Sequence, residues 1–261
     1  MRVPVVQHTT RRQRARRRRA LWTGGELLVT AGLVLLLLVV HQLWWTNREA
    51  RRGAERKVEA LEREWGEGTG GQGDGDSGTA APSASAQPNS GTGTGTRTRQ
   101  QTATARQPRP DWSQAYAVLT IPRLGLRVPV AEGVSKQDVL NKGYVGHYRG
   151  TGQPGQVGNF ALAGHRNTHG EPFRYINRLR AKDLVEIETE SATYTYAVDR
   201  TLPQTSARDS GVVRPIPRSI VKPGYGYSEP GYYITLTTCT PEYTSRYRLV
   251  VWGKLVSMRP R

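Results

Sequence analysis

The sequence predicts a mainly β domain folded as a closed or nearly closed barrel with short helices at its rim, preceded by one membrane-spanning helix and a disordered linker. Three observations carry this reading. Residues 111–261 are a succession of short apolar or alternating runs broken by glycine and proline, the pattern of many short strands joined by turns. Residues 27–40 form an uncharged apolar run. Residues 66–110 are rich in Gly, Thr, Ser, Gln and Pro with almost nothing apolar to bury, so they cannot offset the entropy of folding.

Taken in order, residues 1–20 hold eight arginines and no acid, nearly half of the formal +17 of the 261-residue chain. Leu21 to Trp45 is long enough for a bilayer, which needs roughly 20 apolar residues, and Trp22, Trp44 and Trp45 sit where interfacial aromatics belong. The arginines on the N-terminal side predict a cytoplasmic N-terminus, with everything after Trp45 outside the plasma membrane. No small-x-small cleavage pattern follows Val40, so the span reads as an uncleaved signal anchor. Residues 46–65, with Glu59 and Arg63 at helical spacing, predict a solvated stalk helix. The linker over 66–110 follows, with a random-coil span near 35 to 40 Å, which would let the last domain reach away from the membrane.

The folded domain is expected over 111–261, where 20 basic and 12 acidic side chains leave a milder excess. That excess reads as a basic surface facing an anionic medium and not as a nucleic-acid site. Strands are expected at 117–122, 126–130, 158–164, 184–188 and 193–198. A helical turn is expected near Val139 and Leu140, and a short helix over Phe173 to Leu179. Tyr232, Ile234 and Leu236 alternate with threonines up to Cys239, and Thr240-Pro241 ends that strand. A second β-branched and aromatic run follows from Arg246 to Val256. The seven residues between the two make an antiparallel pair the economical connection, which would bring Cys239 and Arg246 or Arg248 to one end of a sheet.

Cys239 is the only cysteine. A solitary thiol outside the membrane has no internal disulfide to make; its ordinary role is a small buried hydrophobe, but a strand tip between threonines suits a nucleophile equally well. His8 and His41 lie in the tail and the span, leaving His147, His165 and His169. Each is by default a hydrogen-bonding loop residue, and each has the chemistry of an acid or base near neutral pH. His165 stands out because it ends the buried run Asn159 to Gly164. Three scattered histidines and one cysteine lack zinc-site spacing, so no metal or other cofactor is expected. Of 15 arginines beyond residue 110, only the position facing Cys239 distinguishes Arg246 and Arg248.

These residues resemble a known family. Thr235-Leu-Thr-Thr-Cys239 resembles the Thr-Leu-x-Thr-Cys motif of sortases, the membrane-anchored cysteine transpeptidases of Gram-positive bacteria. Gly155 to Arg166 is similar to the segment ending in the family's catalytic histidine, and Arg248-Leu-Val-Val resembles the arginine that opens its last strands. The three motifs occur in the family's order between about Ile121 and Val256. The resemblance implies a sortase barrel of about eight strands, with Cys239 as nucleophile, His165 as proton donor and acceptor, and Arg248 as stabiliser of the substrate carbonyl, with Arg246 the competing assignment. It further implies a hydrogen-bonding role at the substrate for Thr238.

The implied partners are the sorting-signal peptide of secreted surface proteins and an amine of the cell-wall precursor. The implied reaction cleaves the signal between Thr and Gly through a thioester. Cys-Thr-Pro-Glu-Tyr243 with Arg246-Tyr-Arg248 looks most like class E sortases of actinobacteria, associated with Leu-Ala-x-Thr-Gly in place of Leu-Pro-x-Thr-Gly. The chain end Ser-Met-Arg-Pro-Arg261 carries no second span, and Pro110-Asp-Trp112 is in the wrong order for the Asp-Pro-aromatic lid of pilin-polymerising members. Housekeeping anchoring is therefore expected over pilin polymerisation. A catalytically silent, membrane-tethered peptide-binding module is the reading from another class.

Overall fold

The computed structural model describes residues 9–68 and 115–261. The linker expected over 66–110, beyond its first three residues, and the start of the basic tail lie outside the described residues.

Eight strands close into one barrel: β1 (Ala115–Ile121), β2 (Leu126–Glu132), β3 (Val145–His147), β4 (Gly158–Ala163), β5 (Leu184–Thr189), β6 (Ala192–Ser206), β7 (Tyr232–Thr240) and β8 (Tyr247–Pro260). Around the ring the order is β1-β2-β3-β4-β7-β8-β6-β5, with β5 back against β1. The pairs β2–β3 and β4–β7 are parallel, and the others are antiparallel. Closure leaves no free sheet edge, so every strand finds two partners.

Strand alternation sorts side chains into two layers. Ile234 and Leu236 of β7, Phe160 and Leu162 of β4, and Leu249 and Val251 of β8 point into one buried interior. The opposite parity, Tyr233, Val250 and Trp252, packs outside the barrel under Val212 and Tyr227 of the long β6–β7 connection. The Trp252 indole N–H donates to the Val212 carbonyl at 3.2 Å. Burying an indole while satisfying its one donor makes this outer layer a fixed platform.

The barrel domain differs from expectation in one helix and one strand. The short helix expected over Phe173 to Leu179 is only a 3₁₀ turn, Ile176–Arg178. Its buried residues, Phe173, Ile176 and Leu179, recur every three positions, the repeat of a 3₁₀ turn and not of an α-helix. The strand expected over 193–198 runs on as β6 to Ser206 despite Pro203. Register shifts fall at Val198/Arg200 and Leu202/Thr205, and the second of these bulges takes the proline out of the hydrogen-bond ladder.

Among the described residues a single α-helix, α1, runs from Thr9 to Gly68. Its apolar part contains a stretch of mean hydropathy 2.2, none of which is buried. Further along, Ala50, Ala54, Val58, Leu61 and Trp65 are all buried. Their spacing of four, four, three and four makes one stripe, which covers Ala115, Val118, Ala131 and Val139. The stretch expected to be a solvated stalk thus has one face laid against the barrel. Charge alternation dominates that segment in sequence and masks a stripe that begins with two small residues, Ala50 and Ala54. Arg127 of β2 adds ion pairs to Glu62 of α1 and Glu188 of β5.

Candidate active site

Cys239 lies one residue from the end of β7, half-buried and with a free thiol. In the antiparallel β7–β8 pair its cross-strand partner is Arg248, with Thr240 opposite Tyr247. Residues directly opposite in such a pair share a face of the sheet. Parity from Ile234 and Leu236, which point inward, sends Cys239 and Arg248 to the outer side.

The parallel neighbour of β7 is β4, with Ala163 opposite Thr237. Pairing continues past the end of β4, since Gly164 N donates to Thr237 O at 3.1 Å and the Thr238 hydroxyl donates to Gly164 O at 2.8 Å. On the far side of His165, Arg166 Nη1 donates to Cys239 O at 3.1 Å and to Thr240 Oγ1 at 2.9 Å. Both neighbours of His165 are therefore bonded to residues at or beside Cys239. Adjacent strands lie about 5 Å apart, so thiol, imidazole and guanidinium share one rim.

No hydrogen bond joins the Cys239 thiol to His165. The imidazole is instead held by Asn141, with Nε2 to Asn141 Oδ1 at 2.9 Å, and faces the His169 ring at 5.3 Å between centroids. A carbonyl oxygen only accepts, so Nε2 carries the proton and Nδ1 keeps its lone pair. Burial first, then the His169 and Lys136 charges, push the His165 pKa down to about 4. Such an imidazole is neutral at physiological pH and able to accept a proton.

The folded protein therefore binds fewer protons at His165 than the unfolded chain between pH about 4 and the ordinary value near 6.5. The stability contributed by the neutral ring is present above that window and is lost as pH falls through it. An NMR titration is expected to show His165 changing charge near pH 4. His169→Asn, which removes a repelling charge while tolerating the backbone φ of 52°, is expected to move that midpoint upward.

Arg248 is half-buried and donates from Nη1 to Ser245 O at 2.9 Å and to Tyr247 O at 3.0 Å. Both bonds use the same nitrogen, so neither engages Nε or Nη2. Arg246 lies outside β8, is exposed, and packs its guanidinium on the Tyr247 ring at 5.2 Å. The cross-strand position thus separates the two arginines that sequence left in competition. Thr238 has the inward parity, is buried, and donates its hydroxyl to Gly164 O. It holds the histidine loop to β7.

Of the remaining histidines, His147 is fully buried in β3 and bonded to Glu132, Tyr116 and Thr151. His169 lies beside His165 but is not part of a strand-end pair. Sequence reasoning missed Asn141 and Arg166. Arg166 has a signal, as it adjoins the histidine, whereas nothing local marks Asn141, which comes from a loop 24 positions away.

The fold is a closed β-barrel whose rim carries Cys239 and Arg248 as a cross-strand pair beside the loop of His165. Residues 119–256 match the Sortase domain family. The chain is 50% identical over 153 residues to Sortase SrtE1 of Streptomyces coelicolor, covering 57% of this chain and 42% of that protein. It is 35% identical over 219 residues to Sortase SrtE2 of the same organism, covering 82% and 73%. The match thus spans less than half the length of the first relative. Among solved structures, Sortase E1 from Streptomyces coelicolor with a tripeptide in its active site superposes with a TM-score of 0.54 at 50% identity, over 57% of this chain and 92% of that one. Sortase E from Streptomyces avermitilis gives a TM-score of 0.50 at 40% identity, with the same coverage of each chain. The chain belongs to the sortase family, whose members are cysteine transpeptidases of surface proteins.

Proposed function

We propose that the protein is a membrane-anchored transpeptidase that cleaves a C-terminal Leu-Ala-x-Thr-Gly or Leu-Pro-x-Thr-Gly sorting signal between Thr and Gly. It then passes the surface protein to an amine of the cell-wall precursor. The observation that carries this reading is the cross-strand pair Cys239 and Arg248 beside the loop of His165.

In the proposed cycle His165, neutral beforehand, takes the Cys239 proton, and the thiolate attacks the threonine carbonyl. Arg248 meets the charge that develops on the carbonyl oxygen. The resulting imidazolium returns the proton to the glycine nitrogen as the C–N bond breaks, leaving a thioester on Cys239. An incoming amine attacks that thioester, gives up its proton to His165, and restores the thiol. Acyl energy is kept through both steps, so no cofactor is required.

The apolar part of α1 serves as the anchor in this reading, with the arginines before Leu21 on the cytoplasmic side and the barrel outside. The relatives are named Sortase SrtE1, Sortase SrtE2 and Sortase E1, and this supports the class E reading and with it housekeeping anchoring over pilin assembly. The test is incubation of the full chain with peptides carrying either signal and a free amine. The expected product has the amine in place of the glycine, with the Leu-Ala peptide turned over faster. Binding of either peptide without any turnover would support the silent module instead.

A further inference from the structure

Two loops hold the imidazole of His165: its own, between β4 and β5, and the turn between β2 and β3 that supplies Asn141. Both loops touch α1, and they touch it at its barrel-facing stretch nearest the apolar span. Gly170 N donates to Asn47 Oδ1 at 2.8 Å, and Arg51 Nε donates to Gly170 O at 3.0 Å. Arg51 Nη2 also reaches the buried Glu171 carboxylate at 3.0 Å. On the other loop, Gly143 packs so tightly on the helix that a Cβ there would lie 2.8 Å from the Ala50 carbonyl oxygen.

The segment being gripped is strained. His169, Gly170 and Glu171 have φ of 52°, 85° and 55°, three left-handed residues in succession, of which only the glycine adopts that region without cost. Such conformations persist only where surrounding contacts hold them. Glu171 passes the constraint on, since Arg174 bonds it at 2.7 Å and pairs at 3.0 Å with Glu242, three residues beyond Cys239. The helix is thus tied through one buried carboxylate to the loop of His165 and, by way of Arg174, to the loop that follows Cys239.

We infer that Asn47 and Arg51 of α1 are positioning residues of the active site, which fix the loop of His165 against the tip of β7. The anchoring helix is in this sense a working part of the catalytic rim and not merely a leash. Arg51 is half-exposed, so its ion pair contributes little to global stability; its effect is on the loop backbone. A rise of about 1.5 Å per residue sets Asn47 only ~3 Å along the helix from Trp45 and Trp65 about 27 Å beyond Asn47. The rim bearing His165 therefore faces the apolar span, and the end of the barrel where β1 begins, packed on Trp65, faces away.

The inference rests on the proposed pairing of His165 with Cys239, and its test separates the two. The full chain is prepared in detergent with Asn47→Ala and Arg51→Ala together, leaving the stripe of Val58, Leu61 and Trp65 intact so that the helix stays docked. Misplacement of a catalytic group by about 1 Å costs up to ~100-fold, so kcat with the sorting peptide and amine is expected to fall at least tenfold. KM is expected to change less than threefold. The acid limb of the rate profile should move upward as water reaches the His165 ring, while the Lys136 and His169 charges that face it remain. Asn47→Asp, which keeps an acceptor for Gly170 N, is expected to restore kcat when paired with wild-type Arg51. Wild-type kcat and an unmoved acid limb in the double variant overturn the inference, whatever happens to KM. Activity surviving in Cys239→Ala would instead overturn the chemistry beneath it.

Discussion

Replacing Cys239 by alanine is expected to abolish turnover of sorting peptides, by about 10⁴-fold or more, the scale seen when a covalent nucleophile is removed. The side chain is half-buried at a strand tip, so deleting one sulfur leaves no large cavity. The thermal midpoint should remain close to wild type, which makes the loss of rate attributable to chemistry. Peptide binding, read by fluorescence anisotropy, should persist in the variant, because the β-barrel and its outer platform of Trp252 and Tyr233 do not depend on the thiol. Mass spectrometry of the wild-type protein with peptide but no amine is expected to reveal an adduct lacking the glycine and all that follows it. An adduct or transamidated product formed by Cys239→Ala would place the nucleophile elsewhere.

His165→Ala is expected to fall nearly as far, and the two together no further than either alone, since residues that act in one step are not additive. The site nonetheless keeps the imidazole bonded to Asn141 and without a hydrogen bond to the thiol. Such loose geometry is common before substrate arrives. Releasing Asn141 has a cost that substrate binding must offset.

Much of this was legible in sequence for identifiable reasons. The period of two through Tyr232, Ile234 and Leu236 specifies both the strand and the face of each residue, and so brings Cys239 to one end of a sheet with Arg246 and Arg248 once the short connection dictates an antiparallel pair; the register that sets Arg248 opposite comes from the structure. What sequence hides is contact between segments far apart. Asn141 reaches His165 from another loop, and Arg166 reaches back to Cys239 and Thr240 across 73 and 74 positions. Neither follows from local pattern. The docked face of α1 was hidden differently: Ala50 and Ala54 are small, the stretch around them is dense with Arg and Glu, and only the barrel supplies the apolar surface that gives their spacing meaning. The bond of Thr238 to Gly164 was hidden in the same way as those of Asn141 and Arg166, since alternate strand residues face opposite sides and the partner lies 74 positions away.

Arg248→Ala is expected to lower kcat about 10²- to 10³-fold, the usual effect of losing one donor aimed at a developing oxyanion, with a smaller change in KM. Arg246→Ala should stay within a few-fold of wild type, because its guanidinium rests on the Tyr247 ring in solvent. The contrast is sharp because the two arginines are two positions apart and contribute equally to net charge. Any general electrostatic attraction of substrate would be lost equally in both. Arg248→Lys distinguishes charge from geometry: an ammonium keeps the charge but cannot bond Ser245 and Tyr247 through one nitrogen while offering two others to a carbonyl. Recovery by lysine to near wild-type rate would show that charge alone suffices. Rate stuck near the alanine level would show that the fixed fork is what the cross-strand position opposite Cys239 has placed there. Equal losses in Arg246→Ala and Arg248→Ala would break the assignment, since parity along β8 and the register with β7 leave only Arg248 directly across from the sulfur.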